Sequence, residues 1–285
     1  MIKLKRERTE IAITPGLRGE KRKEKAIALL KKGYELAFEF KSKDFKSAYW
    51  KEAKEQLKKE SSGKCAYCES PTEIVAHGDV EHFRPKSEYW WLAYCYENYS
   101  YSCQVCNQVY KSDKFTIQGA KMLAPRDLPE AMTDEEMETL AQFLFPDPFA
   151  DDEGFPAADF LQACQQEQAH LVDPYLFDPE PYFKWGIDEQ LEEVRIAPRD
   201  NTPESFNAFK AADDILGLNR EELRKLRYLR YKELETFKDV LQAGGLPQPL
   251  IERIKQQLKE MTDDKAMFAG MARYFVRDVW DLDLS

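Results

Sequence analysis

The sequence predicts a mostly helical chain folded around one cysteine-rich segment, and three observations predict it. Apolar residues recur at helical spacing toward both ends of the 285 residues, and two Cys-x2-Cys pairs sit among aromatic side chains in the first half. No apolar run approaches the roughly 18 to 20 residues that cross a bilayer. Hydrophobic residues make up 43% of the chain, enough for a core despite 33% charged residues, which excludes a globally disordered class. The start, MIKLKRERTE, is too charged for the apolar region of a secretory signal, so a cytoplasmic location without membrane contact is expected.

Residues 20–60 are rich in Lys, Glu, Ala and Leu, and Ile27, Leu29, Leu30, Tyr34, Leu36 and Phe38 fall at loosely helical spacing, which predicts one or two amphipathic helices. Ser61, Ser62 and Gly63 break that pattern. From Lys64 to about Phe115 the chain is rich in cysteine, aromatic residues and histidine. Asp127 to Phe183 holds 15 acidic residues and no Lys or Arg, with Pro146, Pro148 and Pro156 between short apolar pieces. It reads as a solvated, partly irregular surface or as a dock for a basic partner. Thr202 and Pro203 predict an N-cap and first-turn proline of a helix ending near Gly217. Asn219 is then expected to cap a long helix that turns Leu223, Leu226, Leu234 and Leu241 inward and ends at Gly244 and Gly245. Helices over 248–261 and 264–280 complete the chain. Three regions result: a basic helical 1–63, a central 64–118, and an acidic, mainly helical 119–285.

The net charge of −10 argues against a nucleic-acid partner only on average. Residues 1–64 carry 19 Lys and Arg against 10 Asp and Glu, a net of +9, whereas 127–285 carry 17 against 35, a net of −18. Local charge sets the electrostatic footprint, so the basic end can meet phosphate.

Cys65-Ala-Tyr-Cys68 and Cys103-Gln-Val-Cys106 have zinc spacing. Two intervening residues let both thiolates of a tight turn reach one tetrahedral ion, and two such turns complete a four-sulfur site. Two disulfides are the alternative, disfavoured in a reducing compartment. A closed site leaves no open coordination position, so this zinc folds the segment and catalysis falls to other residues. Cys95 and Cys164 lack partners at ligand spacing and read as small buried hydrophobes.

The 34 residues between the pairs contain Asp79-Val80-Glu81-His82-Phe83-Arg84-Pro85-Lys86, and Asn107 follows the second pair. Phosphodiester hydrolysis needs a base for water, a divalent cation to neutralise developing charge, and hard oxygen ligands for that cation. His82 suits the base because imidazole titrates near neutrality. Glu81 and Asn107 offer oxygens suited to Mg2+ or Mn2+, and Arg84, Lys86 and Lys111 are candidate contacts to substrate phosphate. Asp79 competes with Glu81, since in a regular strand both face one side and His82 the other. His77, without such company, reads as surface. Tyr89, Trp90, Trp91, Tyr94, Tyr96, Tyr99 and Tyr101 are read as packing rather than as base-stacking platforms.

The order Cys-x2-Cys, acid-His, Asn in Glu97-Asn98-Tyr99, then Cys-x2-Cys-Asn resembles the zinc-containing HNH endonucleases over about 50 residues. The resemblance implies a ββα-metal motif: a two-stranded ribbon bearing His82 and a helix from near Cys103 bearing Asn107. It implies His82 as general base, Asn98 as the residue tying the ribbon's loop, and Glu81 and Asn107 as ligands of the catalytic cation. Two positions depart from common forms of the motif, Glu81 where many members have Asp and Asn107 where many have His. Val80 to Lys86, Trp91 to Tyr94, Glu97-Asn98, Cys103 to Asn107, Asp173-Pro174-Tyr175 and Gly217-Leu218-Asn219-Arg220 are further similar to the PtuB family, HNH nuclease subunits of Septu-type and some retron-associated anti-phage systems. That resemblance implies a PtuA-like ATPase partner. The expected fold class is thus α+β, mostly helical, with a ββα-metal nuclease motif and a structural four-cysteine zinc site embedded in a helical body. The expected function is metal-dependent cleavage of DNA or RNA in phage defence. A non-catalytic, zinc-stabilised nucleic-acid or protein-binding module is the competing reading.

Overall fold

In the computed structural model, the Lys- and Glu-rich N-terminal stretch forms α1 (Gly19–Glu35), which buries Ala26, Leu29, Leu30 and Gly33 at the three- and four-residue intervals of one helix face. The structure describes all residues except 73–76, 123–131, 145–147, 149–157 and 285. Ala37 and Phe38, both at positive φ, turn the chain away from α1. Two short helices, α2 (Ala48–Lys51) and α3 (Lys54–Glu60), follow before the first cysteine pair.

The central segment carries a two-stranded antiparallel ribbon, β1 (Gly78–His82) and β2 (Tyr99–Cys103), with Gly78 opposite Cys103 and His82 opposite Tyr99. Gly78 lets Tyr101 lie across it, for a Cβ there would come within 2.2 Å of the ring. After β2 the residues Val105–Lys111 form a turn of π pitch, in which the Ser112 N–H reaches back five residues to the Asn107 carbonyl at 2.7 Å.

Two further helices, α4 (Asp134–Leu144) and α5 (Ala158–Glu167), lie in the acidic region. Glu138 and Asp134 of α4 pair with Lys23 at 3.0 Å and Lys31 at 2.8 Å on α1, so this part of the acidic tract meets the chain's own basic helix. Pro146, Pro156 and the acidic residues 127, 130, 147 and 151–153 lie outside the described residues.

A second ribbon, β3 (Phe183–Asp188) and β4 (Glu193–Pro198), was not expected. Its signal is an alternation: Phe183 and Trp185, then Val194 and Ile196, are buried while Lys184, Gly186 and Arg195 between them are exposed. Helix α6 (Pro203–Asp214) starts as anticipated, with Thr202 Oγ1 accepting the Ser205 N–H at 3.3 Å. The long helix α7 (Glu221–Ala243) ends at Gly244, φ +70°, but Asn219 does not cap it. The Asn219 amide instead pairs with the backbone of Ile196, accepting its N–H at 2.9 Å and donating to its carbonyl at 3.1 Å, and α7 begins two residues later. Leu223 and Leu234 are buried on α7, whereas Leu226 is 37% exposed, contrary to expectation. Helix α8 (Gln248–Thr262) matches its predicted span. The last helix, α9 (Ala269–Arg273), starts later than expected because Phe268 is left-handed at φ +56°, and it continues as a π turn over Tyr274–Val279.

Three cores pack against the central segment. One packs Cys65, Cys68, Cys106 and Phe83 against β3, β4 and helices α6 to α9. A second joins α1 and α4 to the aromatic stretch Tyr89–Cys95. A third joins the N-terminal Ile2, Leu4 and Ile13 and α3 to Tyr99 and Tyr101 of β2. The molecule is a mostly helical α+β structure with two small ribbons. Among the described residues no helix is long and apolar enough to cross a membrane.

Candidate functional site

The two cysteine pairs, at opposite ends of the ribbon's sequence, converge. The Sγ atoms of Cys65, Cys68, Cys103 and Cys106 all lie within 4.8 Å of one another, an arrangement that can hold a metal ion. Cys68 and Cys103 are 3.9 Å apart. Neighbours donate to this sulfur cluster: the Cys106 N–H to Cys103 Sγ at 3.4 Å and the Arg220 guanidinium to Cys106 Sγ at 3.5 Å. Such donors stabilise thiolate charge and orient the ligands. Cys95 and Cys164 lie apart, buried, with burial pushing each thiol up to about 12, which keeps both inert.

His82 ends β1 and is buried, 8% exposed. Trp50 and Tyr99 stand edge-on to it at 5.0 and 5.1 Å between centroids. Its Nε2 lies 2.9 Å from the Ala93 carbonyl, which can only accept, so Nε2 carries the proton and Nδ1 keeps its lone pair. Burial lowers the pKa to about 3, opposed by the Ala93 bond and assisted by the positive charges of Lys86 and Lys111. The ring is neutral at physiological pH.

Glu81 points to the other face, as strand alternation requires. There Lys111, four residues beyond Asn107, brings its ammonium to 2.6 Å from Glu81 Oε1 and donates to the His82 carbonyl at 2.9 Å. The Glu81 contact lies off the hydrogen-bond direction and is chiefly ionic. Burial pushes the Glu81 carboxyl up, while Lys111 and Lys86 favour its charged form. Both partners are interior, Lys111 at 0% and Glu81 at 3% exposure, so Lys111 does not stand at a surface where a substrate phosphate would meet it.

Arg84 is interior too, contrary to its reading as a phosphate contact. Its Nε donates to Glu167 Oε2 of α5 at 2.7 Å, and Glu167 Oε1 accepts the Met122 N–H at 3.0 Å. Of the three expected phosphate contacts only Lys86 is partly exposed, with Nζ 5.8 Å from the Trp50 ring centroid. Asn98 is wholly buried and clamps the loop after His82: Oδ1 accepts the Arg84 N–H at 2.8 Å and Nδ2 donates to the Arg84 carbonyl at 2.9 Å. Asn107 is half-buried beside Cys106, and its side chain makes no hydrogen bond among the described residues. Asp79 accepts a bond from Gln108 Nε2 at 2.6 Å, a neutral partner unlike that of Glu81. His77 is exposed, and the aromatic cluster is buried as packing.

Four participants escaped sequence reasoning: the Ala93 carbonyl, Trp50, Glu167 and Arg220. Arg220 was within a matched motif, but nothing in the spacing ties it to a cysteine 114 residues earlier.

The chain is similar to the Septu protein PtuB of Bacillus mycoides (strain KBAB4), with 38% identity over 78 residues, covering 23% of this chain and 26% of that protein. The chain thus spans about a quarter of the length of the curated relative it matches. The likeness supports a relation to that protein. No protein-family model matches, and no solved structure matches.

Proposed function

We propose that this chain is an HNH-type endonuclease that cleaves DNA or RNA phosphodiester bonds in a Septu-like anti-phage system, with a PtuA-like ATPase as regulator. The observation that carries the reading is the state of His82. Its Nε2–H is tied to Ala93, its other nitrogen keeps its lone pair, and it directly follows an acidic residue on a ribbon that starts and ends at a sulfur cluster. In this reading His82 takes the proton from the attacking water. Its depressed pKa belongs to the resting site; a phosphodiester anion beside the ring would favour the charged form and raise it toward the range a base needs. Asn98 acts as a positioning residue through the loop it clamps, and Lys86 is the remaining candidate for phosphate contact.

Zinc is the ion we assign to Cys65, Cys68, Cys103 and Cys106. Zn–S bonds of about 2.3 Å in a tetrahedron put the sulfurs roughly 3.8 Å apart, and Cys68 and Cys103 stand at 3.9 Å. Bound there, zinc supplies folding energy and fixes the adjacent Asn107. A magnesium or manganese ion is the second group the HNH resemblance implies, with Glu81 and Asn107 as ligands. The Asn107 oxygen suits that role, but Glu81 does not fit it as arranged, because an ammonium already holds its carboxylate.

The test is purified, zinc-loaded chain with magnesium or manganese on duplex and single-stranded DNA and on structured RNA. His82→Ala should abolish nicking at unchanged zinc content, with a folded chain of somewhat lower melting temperature because a buried ring is lost; nicking that persists removes His82 as base. The competing binding-module reading draws on the enclosure of the imidazole on three sides. It prevails if no substrate is cut even with the ATPase subunit present.

A further inference from the structure

We propose that the Lys111 ammonium is the resident cation of Glu81, a built-in substitute standing where the HNH resemblance expects a divalent ion. The inference deepens the nuclease reading and rests on it only for that expectation; the ion pair stands without it. Nζ lies 2.6 Å from Glu81 Oε1 and 2.9 Å from the His82 carbonyl, so it meets one charged and one neutral oxygen, as a bound cation would. A divalent ion on Glu81 would have to share that enclosed oxygen with an ammonium at contact distance, and repulsion between like charges is large where water is excluded. Magnesium keeps several waters at about 2.0 to 2.1 Å in an octahedron, and the ammonium 2.6 Å from Glu81 Oε1 occupies the place they would need. The π pitch of Val105–Lys111 anchors the device: it adds a residue to the turn, and Lys111 arrives against β1 from a segment held by the buried Cys106. Asp79, also beside this turn, faces the neutral amide of Gln108.

The experiment titrates Mn2+ into the zinc-loaded chain, read by electron paramagnetic resonance and calorimetry. In the wild type, Glu81→Gln should leave Mn2+ binding unchanged. Lys111→Met should create one Mn2+ site at least tenfold tighter than any in the wild type; adding Glu81→Gln should remove it, and Lys111→Arg should not create it. Wild-type affinity that drops tenfold or more with Glu81→Gln would overturn the proposal, as would a folded Lys111→Met that gains no site. If Lys111→Met does not fold, reductive methylation of native wild type read by mass spectrometry decides. Lys111 should stay unmodified with and without Mn2+, and modification promoted by Mn2+ would show the ammonium to be displaced. None of these readouts needs cleavage, so absence of nuclease activity would defeat the proposed function and leave this result standing.

Discussion

At the scale of single residues, the imidazole of His82 has the widest consequences. Folding lowers its pKa from 6.5 to about 3, so between those values the unfolded chain binds a proton that the folded chain excludes. The stabilisation is complete above pH 6.5 and is lost as pH falls toward 3. We expect the urea midpoint to decline from pH 7 to pH 4, and less steeply in His82→Gln; equal slopes would assign the decline to other groups. Asn98→Ala should cost on the order of 3 kcal/mol by stranding the buried Arg84 N–H and carbonyl, measured by denaturant unfolding at constant zinc content. The cysteine pairs, whose four sulfurs do converge, were legible because their local spacing has one dominant chemistry. The Ala93 carbonyl was not, since every residue carries the same acceptor and only the fold selects one. Lys111 and Arg84 were misjudged for a related reason: lone cations read as surface, and their carboxylate partners are a contact of the fold, the Arg84 partner lying 83 residues away.

At the scale of elements, helices with a cap and a stop were readable. Thr202 with Pro203 and the glycines after α7 marked true boundaries. Asn219 carried an equally good cap signature, yet β4 took its amide, because a nearby unpaired strand edge offers two bonds where a helix start offers one. The π turn has no sequence signature. Deleting Val109 should restore α pitch and keep Lys111 in register with Glu81, because the π turn holds one residue more than an α turn over the same arc; intact zinc content with little change in melting temperature is the expected result, checked by melting and metal analysis. The Arg84–Glu167 pair joins the loop after β1 to α5. Removing one partner of such a buried pair costs about 3 to 5 kcal/mol, whereas replacing both with apolar residues costs far less. Glu167→Gln should therefore unfold at markedly lower denaturant than the Arg84→Met/Glu167→Leu double variant.

At the scale of the whole molecule, the sulfur cluster belongs to the largest core, which also holds β3, β4 and the C-terminal helices. Chelation should thus loosen more than the ribbon: near-ultraviolet dichroism from tryptophan and tyrosine should collapse, and returning Zn2+ should restore it. Affinity for nucleic acid should fall steeply with salt and depend on Lys and Arg before residue 65; a flat salt response would exclude a phosphate-led contact. The three-region division of the sequence is crossed by contacts to the central segment. Trp50 precedes residues 64–118, Glu167 and Arg220 follow them, and all three serve that central segment. It is consequently no cassette. Excised or grafted onto another scaffold, it would keep its cysteines and lose the Trp50, Glu167 and Arg220 contacts that the rest of the chain supplies.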